Sequence, residues 1–173
     1  DLRLTDNPAL SIAVDNGTII PVFILDDGAP ENAALGGASQ WWLHHSLLSL
    51  SKSLNNKLLI RRGEPLAILV EIAEAFSADS VIWNRLYEPW QRERDENIKT
   101  VLKNRGIAAK SLNGSLLWEP MSVLKKDETP YKVFTPYYRK GCLTRQAPRF
   151  PIARPKEMHI ADGVNFSMDA LTS

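Results

Sequence analysis

The densest run of chemistry-bearing residues in the chain is Asn84-Arg-Leu-Tyr-Glu-Pro-Trp-Gln-Arg-Glu-Arg-Asp95. An amide, three arginines, several carboxylates and two aromatic rings fall within one stretch that reads as a strand-to-helix loop. Tyr87 or Trp90 could stack on a planar heteroaromatic ligand, while Glu88 or Gln91 meets the polar atoms of its ring edges. The same residues also suit a salt-bridged helix start, with Glu93 and Asp95 favoured by the helix dipole. Composition leaves both readings open.

Elsewhere the chemistry thins out. His44 and His45 have no Cys or acidic neighbour at metal-ligand spacing, so no metal site is expected. The single Cys142 excludes an internal disulfide and a cysteine-based zinc site, and points to a reduced, cytoplasmic setting. There is no Ser/His/Asp arrangement and no P-loop, and Gly36-Gly37 reads as a helix-start glycine pair. No catalytic residue is therefore nominated. A net charge of +1 gives no electrostatic footprint for nucleic acid. The basic spots Arg61-Arg62, Lys125-Lys126 and Arg139-Lys140 read as solvated edges. No apolar run approaches the roughly 20 residues that a membrane span needs, and no signal-peptide pattern is visible.

The elements that must position such a loop alternate. Asp6 and Asn7 are helix N-cap types, and Pro8 suits a first helical position, so a short helix is expected over Pro8–Asn16. Ile19–Leu25 is a β-branched, buried-type strand ended by Asp26-Asp27-Gly28. A turn-rich stretch, Gly28–Gly37, precedes a helix over Ala38–Leu54, whose Leu43, Leu47, Leu50 and Leu54 form one stripe. Trp41, His45 and Leu48 lie on the opposite side and must cover another part of the chain or meet a partner or cofactor. Lys57–Arg61 is a strand, and Pro65–Phe76 a helix with Leu66, Leu69, Ala73 and Phe76 on one side. Ser80–Trp83 is a strand, followed by a helix over Gln91–Arg105 with Gly106 as its stop. Ala108–Leu112 is a last short strand.

Strands separated by helices of this length imply βαβ crossovers and a doubly wound parallel α/β sheet with helices on both faces. The Asp1–Asn7 loop would normally leave the carboxyl end of a strand, so a first strand is inferred though none precedes Asp1. Ligands of such sheets bind outside the carboxyl ends of the strands. That nominates Asp1–Asn7, Asp26–Gly37, Arg62–Glu64 and Asn84–Arg94. After about Leu117 the alternation stops: a short helix is expected near Thr135, and Ala147–Pro155 reads as a Pro-rich extended linker. From His159 onward the chain reads as a path into something else.

With these residues in hand, the chain resembles the N-terminal α/β domain of the DNA photolyase/cryptochrome family. The matching pieces are DLRLTDNPAL at 1–10, PVFILDD at 21–27, LGGASQWWLHHSLLSL at 35–50, RRGEP at 61–65, WNRLYEPWQRERDENIK at 83–99 and YKVFTPYYR at 131–139. The resemblance implies a Rossmann-like domain, 1–117, built on a five-stranded parallel sheet whose central first strand is missing here. Residues 118–173 would be the end of that domain and a linker toward an absent C-terminal helical domain that holds FAD and receives damaged DNA. It further implies a light-driven flavoprotein that repairs cyclobutane pyrimidine dimers, with a cryptochrome photoreceptor or a stand-alone nucleotide- or flavin-binding module as alternatives. The fragment by itself is expected to be inactive.

In that family the N-terminal domain carries an antenna chromophore, a folate, a deazaflavin or a flavin. Carried over to this chain, the expected contacts are Leu35, Gly36, Gly37, Gln40, Tyr87, Glu88, Trp90, Gln91 and Arg92, with Arg3 and Asp6 on the rim. Folate-binding members carry an Asn-Glu pair where Trp90 and Gln91 stand. The string at 88–95 sits closer to deazaflavin-binding members, so deazaflavin is preferred to methenyltetrahydrofolate. The missing strand leaves two open sheet edges, through which a homodimer could form.

Overall fold

A computed structural model of the chain describes residues 1–30 and 34–172, so the centre of the Gly28–Gly37 stretch lies outside the described residues. Asn7 caps the first helix, α1 (Pro8–Asn16), its side-chain oxygen accepting from the Leu10 N–H at 3.0 Å. Strand β1 (Val22–Leu25) leads through the Asp26–Gly28 turn toward α2 (Gly37–Ser53). Then come β2 (Leu59–Arg62), α3 (Pro65–Ala75), β3 (Ser80–Asn84), α4 (Pro89–Asn104) and β4 (Ala108–Leu112). Glu64, nominated above within a ligand loop, is instead the N-cap of α3; its carboxylate accepts from Leu66 N–H and Ala67 N–H. Gly106, at φ +78°, takes the left-handed turn after α4 that other residues resist.

The strands pair in parallel, β1 with β2 and β3 with β4, as two separate two-stranded sheets. Between them runs a groove of about 860 Å³, walled by Val22, Phe23 and Ile24 on one side and Ser80–Asn84 on the other. Among the described residues, neither β1 nor β3 has a second strand neighbour. The expected sheet is therefore present in two halves, with a gap where a first strand was inferred. The strands are also shorter than the apolar runs suggested: Ile19–Pro21 stands outside β1, where Ile19 instead bridges to Ile160.

Leu47 and Leu54 of the α2 stripe pack with Leu58 and Ile60 as the larger core cluster, with Leu2, Leu4 and Phe23 against it. A second cluster joins Leu59, Ile72 and Val164. On α3 it is Ile72 and Ala73 that are buried, while Leu66, Leu69 and Phe76 are partly covered. Part of the tail packs back on the core. Ile19 N–H donates to His159 O at 2.8 Å and Ala161 N–H to Ile19 O at 3.0 Å, and Val164 is 1% exposed. Met158, Ile160, Phe166 and Met168 pack on the α2 side of the core. Without a period, these residues gave no sign of that packing in the sequence.

The Pro-rich stretch is tied down as well: Asp6 N–H donates to Ile152 O at 2.7 Å, and the Asp6 carboxylate receives Ile152 N–H and the Arg149 guanidinium. Phe134–Pro136 forms a short helical piece that runs into a π-helical turn, Tyr137–Cys142. No helix among the described residues is long and apolar enough to cross a membrane.

Candidate functional site

The carboxyl ends of the four strands carry a dense polar network, and Asn84 is its hub. At the end of β3 its amide nitrogen donates to Asp1 Oδ2 at 2.9 Å and to Asn7 Oδ1 at 2.8 Å, and its oxygen accepts from Ala9 N–H at 3.2 Å. Arg3 reaches the carbonyl of Gly114, and a Cβ built on Gly114 would stand 2.5 Å from Asn84 Cγ. Only glycine allows the backbone there to approach the Asn84 side chain so closely. The Asn84 amide thus ties the opening loop to β3, and Arg3 ties that loop to the turn after β4.

Arg85 and Tyr87 brace the other side. Arg85 donates to Glu119 Oε1 at 2.7 Å, to Ser111 O at 3.0 Å and to Ser111 Oγ at 3.2 Å. The Tyr87 hydroxyl donates to the same Glu119 oxygen at 3.0 Å. Burial pushes that hydroxyl up to about 12, and the hydrogen bond and negative charge of Glu119 add to the shift. Arg94 of α4 donates to Asp26 Oδ2 at 2.8 Å and to Asp95 Oδ1 at 2.8 Å, and lies 5.4 Å from the centre of the Trp90 ring. Burial works against its charge, but the hydrogen bonds to both carboxylates outweigh it and hold the guanidinium more firmly protonated than usual. Asp95 in turn accepts from Trp83 Nε1 at 2.7 Å.

Asp95 therefore does not act as a surface helix-dipole residue: it is buried in this network, and the first turn of α4 contains no acidic residue. Among the nominated residues, Tyr87 is committed to Glu119, and Trp90 has one ring face occupied by Arg94. Gln40 donates back to Leu35 O at 2.9 Å. Leu35, Gly36, Gly37 and Gln40 are exposed at the start of α2, and nothing lies within 4 Å of where a Cβ would stand at either glycine. Among the described residues, Glu88, Gln91 and Arg92 make no side-chain hydrogen bond, and none joins the Leu35–Gln40 group to the Tyr87–Arg92 group.

The nomination passed over Asp26, Asn84, Arg94 and Glu119. The first three lay inside the nominated loops, but nothing in their spacing reveals partners 68 or 77 positions away. Trp41 and Trp42 are exposed rather than covering another element, and Trp41 stands 4.3 Å from His45 between ring centres. With Leu4 and Arg154 they line a second groove of about 530 Å³. Among the described residues, no group of three His, Cys, Asp or Glu side chains could hold a metal.

Comparison with known proteins decides what this scaffold is. The family profile described as DNA photolyase matches residues 1–156. The chain belongs to the DNA photolyase family. A deoxyribodipyrimidine photo-lyase of Agrobacterium fabrum is 40% identical over 162 residues, covering 91% of this chain and 33% of that relative. Cryptochrome-2 of Arabidopsis thaliana is 36% identical over 147 residues, covering 83% of this chain and 24% of the relative. A bacterial class III photolyase from Agrobacterium tumefaciens superposes with a TM-score of 0.88 at 37% identity, over 99% of this chain and 36% of that one. An archaeal photolyase from Sulfolobus tokodaii, solved with two FAD molecules, superposes at 0.77 with 27% identity, over 99% of this chain and 39% of that one. The chain thus spans about a third of the length of these photolyases.

Proposed function

We propose that this chain is the antenna-chromophore domain of a light-driven, cytoplasmic DNA-repair flavoprotein, a deoxyribodipyrimidine photolyase acting on cyclobutane pyrimidine dimers. The observation that carries the reading is the superposition on a bacterial photolyase over 99% of the chain at a TM-score of 0.88. Residues 1–117 form the chromophore domain, and residues 118–173 complete it and lead toward a C-terminal domain that holds FAD and meets damaged DNA.

The residues at hand fit a planar antenna. Gly36 and Gly37 leave open backbone for a ring to approach, and Glu88, Gln91 and Arg92 have uncommitted polar atoms for its edges. Leu35 supplies an apolar contact, and Trp90 keeps one ring face for stacking. Gln40 and Tyr87 orient the loops that carry these groups, through Leu35 O and Glu119. A deazaflavin is the preferred occupant, ahead of methenyltetrahydrofolate or a flavin. The cofactors supply the photochemistry, and this chain supplies position and electrostatics.

The test uses the full protein encoded by the reading frame that contains this chain. Its absorbance is recorded for flavin and antenna bands, and a thymine-dimer oligonucleotide is incubated with it in blue light and in the dark. Repair in light alone is expected. A flavin-bearing protein that repairs nothing in light would fit the cryptochrome reading and overturn this one.

A further inference from the structure

The π-helical turn after Pro136 places a continuous apolar stripe on the surface. Leu143 N–H donates to Tyr138 O at 2.9 Å, so a residue five positions on sits one turn above. Tyr138 also stacks on Phe134, with ring centres 5.8 Å apart and planes 5° from parallel. Phe134, Tyr138 and Leu143 therefore line one face, with Val133 beside them. In a regular α-helix, the five-residue step would turn Leu143 away from Tyr138.

Neighbouring positions of the same turn are buried. Gly141 and Cys142 are buried, and a Cβ at Gly141 would stand 2.7 Å from Val123 Cγ1 and 3.1 Å from the Tyr131 ring. The turn is thus seated firmly, while its outer face is bare: Phe134 is 72% exposed and Leu143 58%. Singly exposed apolar residues are ordinary, but an ordered row of large ones marks an interaction surface. Lys132, Arg139 and Lys140 are exposed around the stripe.

We infer that the stripe Val133–Phe134–Tyr138–Leu143 is the seat of the domain that follows this one in the full protein. The occupant presents an apolar helix face rimmed by carboxylates that meet Lys132, Arg139 and Lys140. The length of the relatives supports this choice: about two-thirds of each photolyase lies outside the matched segment, enough for a further domain to pack on this one through a mixed apolar and charged interface. This inference rests on the reading of the chain as one domain of a longer flavoprotein.

Hydroxyl-radical footprinting of the 173-residue chain and of the full reading-frame product tests it. Phe134, Tyr138 and Leu143 should label readily in the chain and lose that labelling in the full protein. The double substitution Phe134→Asp with Leu143→Asp should leave the chain's own folding unchanged, since both side chains are exposed. In the full protein it should restore labelling of Tyr138 and speed proteolysis between the domains. Equal labelling in chain and full protein, with flavin retained, overturns the inference and leaves the proposed function standing. A full protein that protects the stripe but holds no flavin does the reverse. Protection of the stripe by self-association of the 173-residue chain assigns it to a second copy and overturns the inference.

Discussion

Arg94 and Asp26 meet at 2.8 Å across the carboxyl-end mouth of the groove that divides the sheet. Asp26 follows β1 and Arg94 lies on the helix after β3, so the pair ties together two half-sheets that share no strand pairing. Arg94 also neutralises Asp95, which is 5% exposed and holds Trp83 in place. Replacing Arg94 with Leu should destabilise the chain by about 2–4 kcal/mol, because it leaves a covered carboxylate without its cation. Urea unfolding checks this, and an unchanged midpoint would remove the bridge from the account.

Gly114 lets the turn after β4 press against the Asn84 side chain. Gly114→Ala would drive a methyl group into Asn84, and overpacking of this kind costs about 1–3 kcal/mol. The opening loop should loosen first, seen as faster amide exchange at Ala9, whose N–H rests on Asn84. Unchanged exchange at Ala9 would show that Asn84 does not hold that loop.

Tyr87 gives the site a measurable alkaline signature. Its hydroxyl is raised from 10.0 to about 12, so the folded state favours the neutral phenol. The stabilisation is complete below pH 10 and is lost as pH rises through about 12. Tyr137 is also raised, by its hydrogen bond with Cys142, so titration of phenolate absorbance should show late-titrating tyrosines of which the step near 12 disappears in Tyr87→Phe. A Tyr87→Phe chain that keeps the step near 12 would place that signal elsewhere.

The unpaired edges of β1 and β3 make their own prediction. A Val/Ile-rich segment of about five residues, fused ahead of Asp1, matches the usual length of a strand and should enter the groove in parallel. The expected outcome is a higher Tm and new amide protection in Val22–Leu25 and Ser80–Asn84. Unaltered protection in both strands would show that the groove is no strand seat.

Much of the scaffold was legible from period and punctuation. The Leu43–Leu47–Leu50–Leu54 stripe is the face α2 buries, Asn7-Pro8 starts α1, and Gly106 stops α4. These features are local, set by neighbours within a few positions. The site network was less legible because its bonds are long-range: Arg94 to Asp26, Asn84 to Asn7 and Arg85 to Glu119 each join separate loops. The role of the stretch from His159 onward was hidden for a similar reason, since Ile160 bridges to Ile19 and Val164 is buried against Leu59 and Ile72, all far earlier in the chain. The π turn at Tyr137–Cys142 had no sequence signal at all beyond Gly141.

The central claim is that this chain positions an antenna for a repair flavoprotein, and an action spectrum of dimer repair by the full protein tests it most directly. The account predicts a repair band that coincides with antenna absorbance, in addition to the flavin band. That band should weaken in a Gln91→Ala, Arg92→Ala variant while repair driven in the flavin band persists. A spectrum that follows flavin absorbance alone, in a protein that contains the antenna, would contradict it.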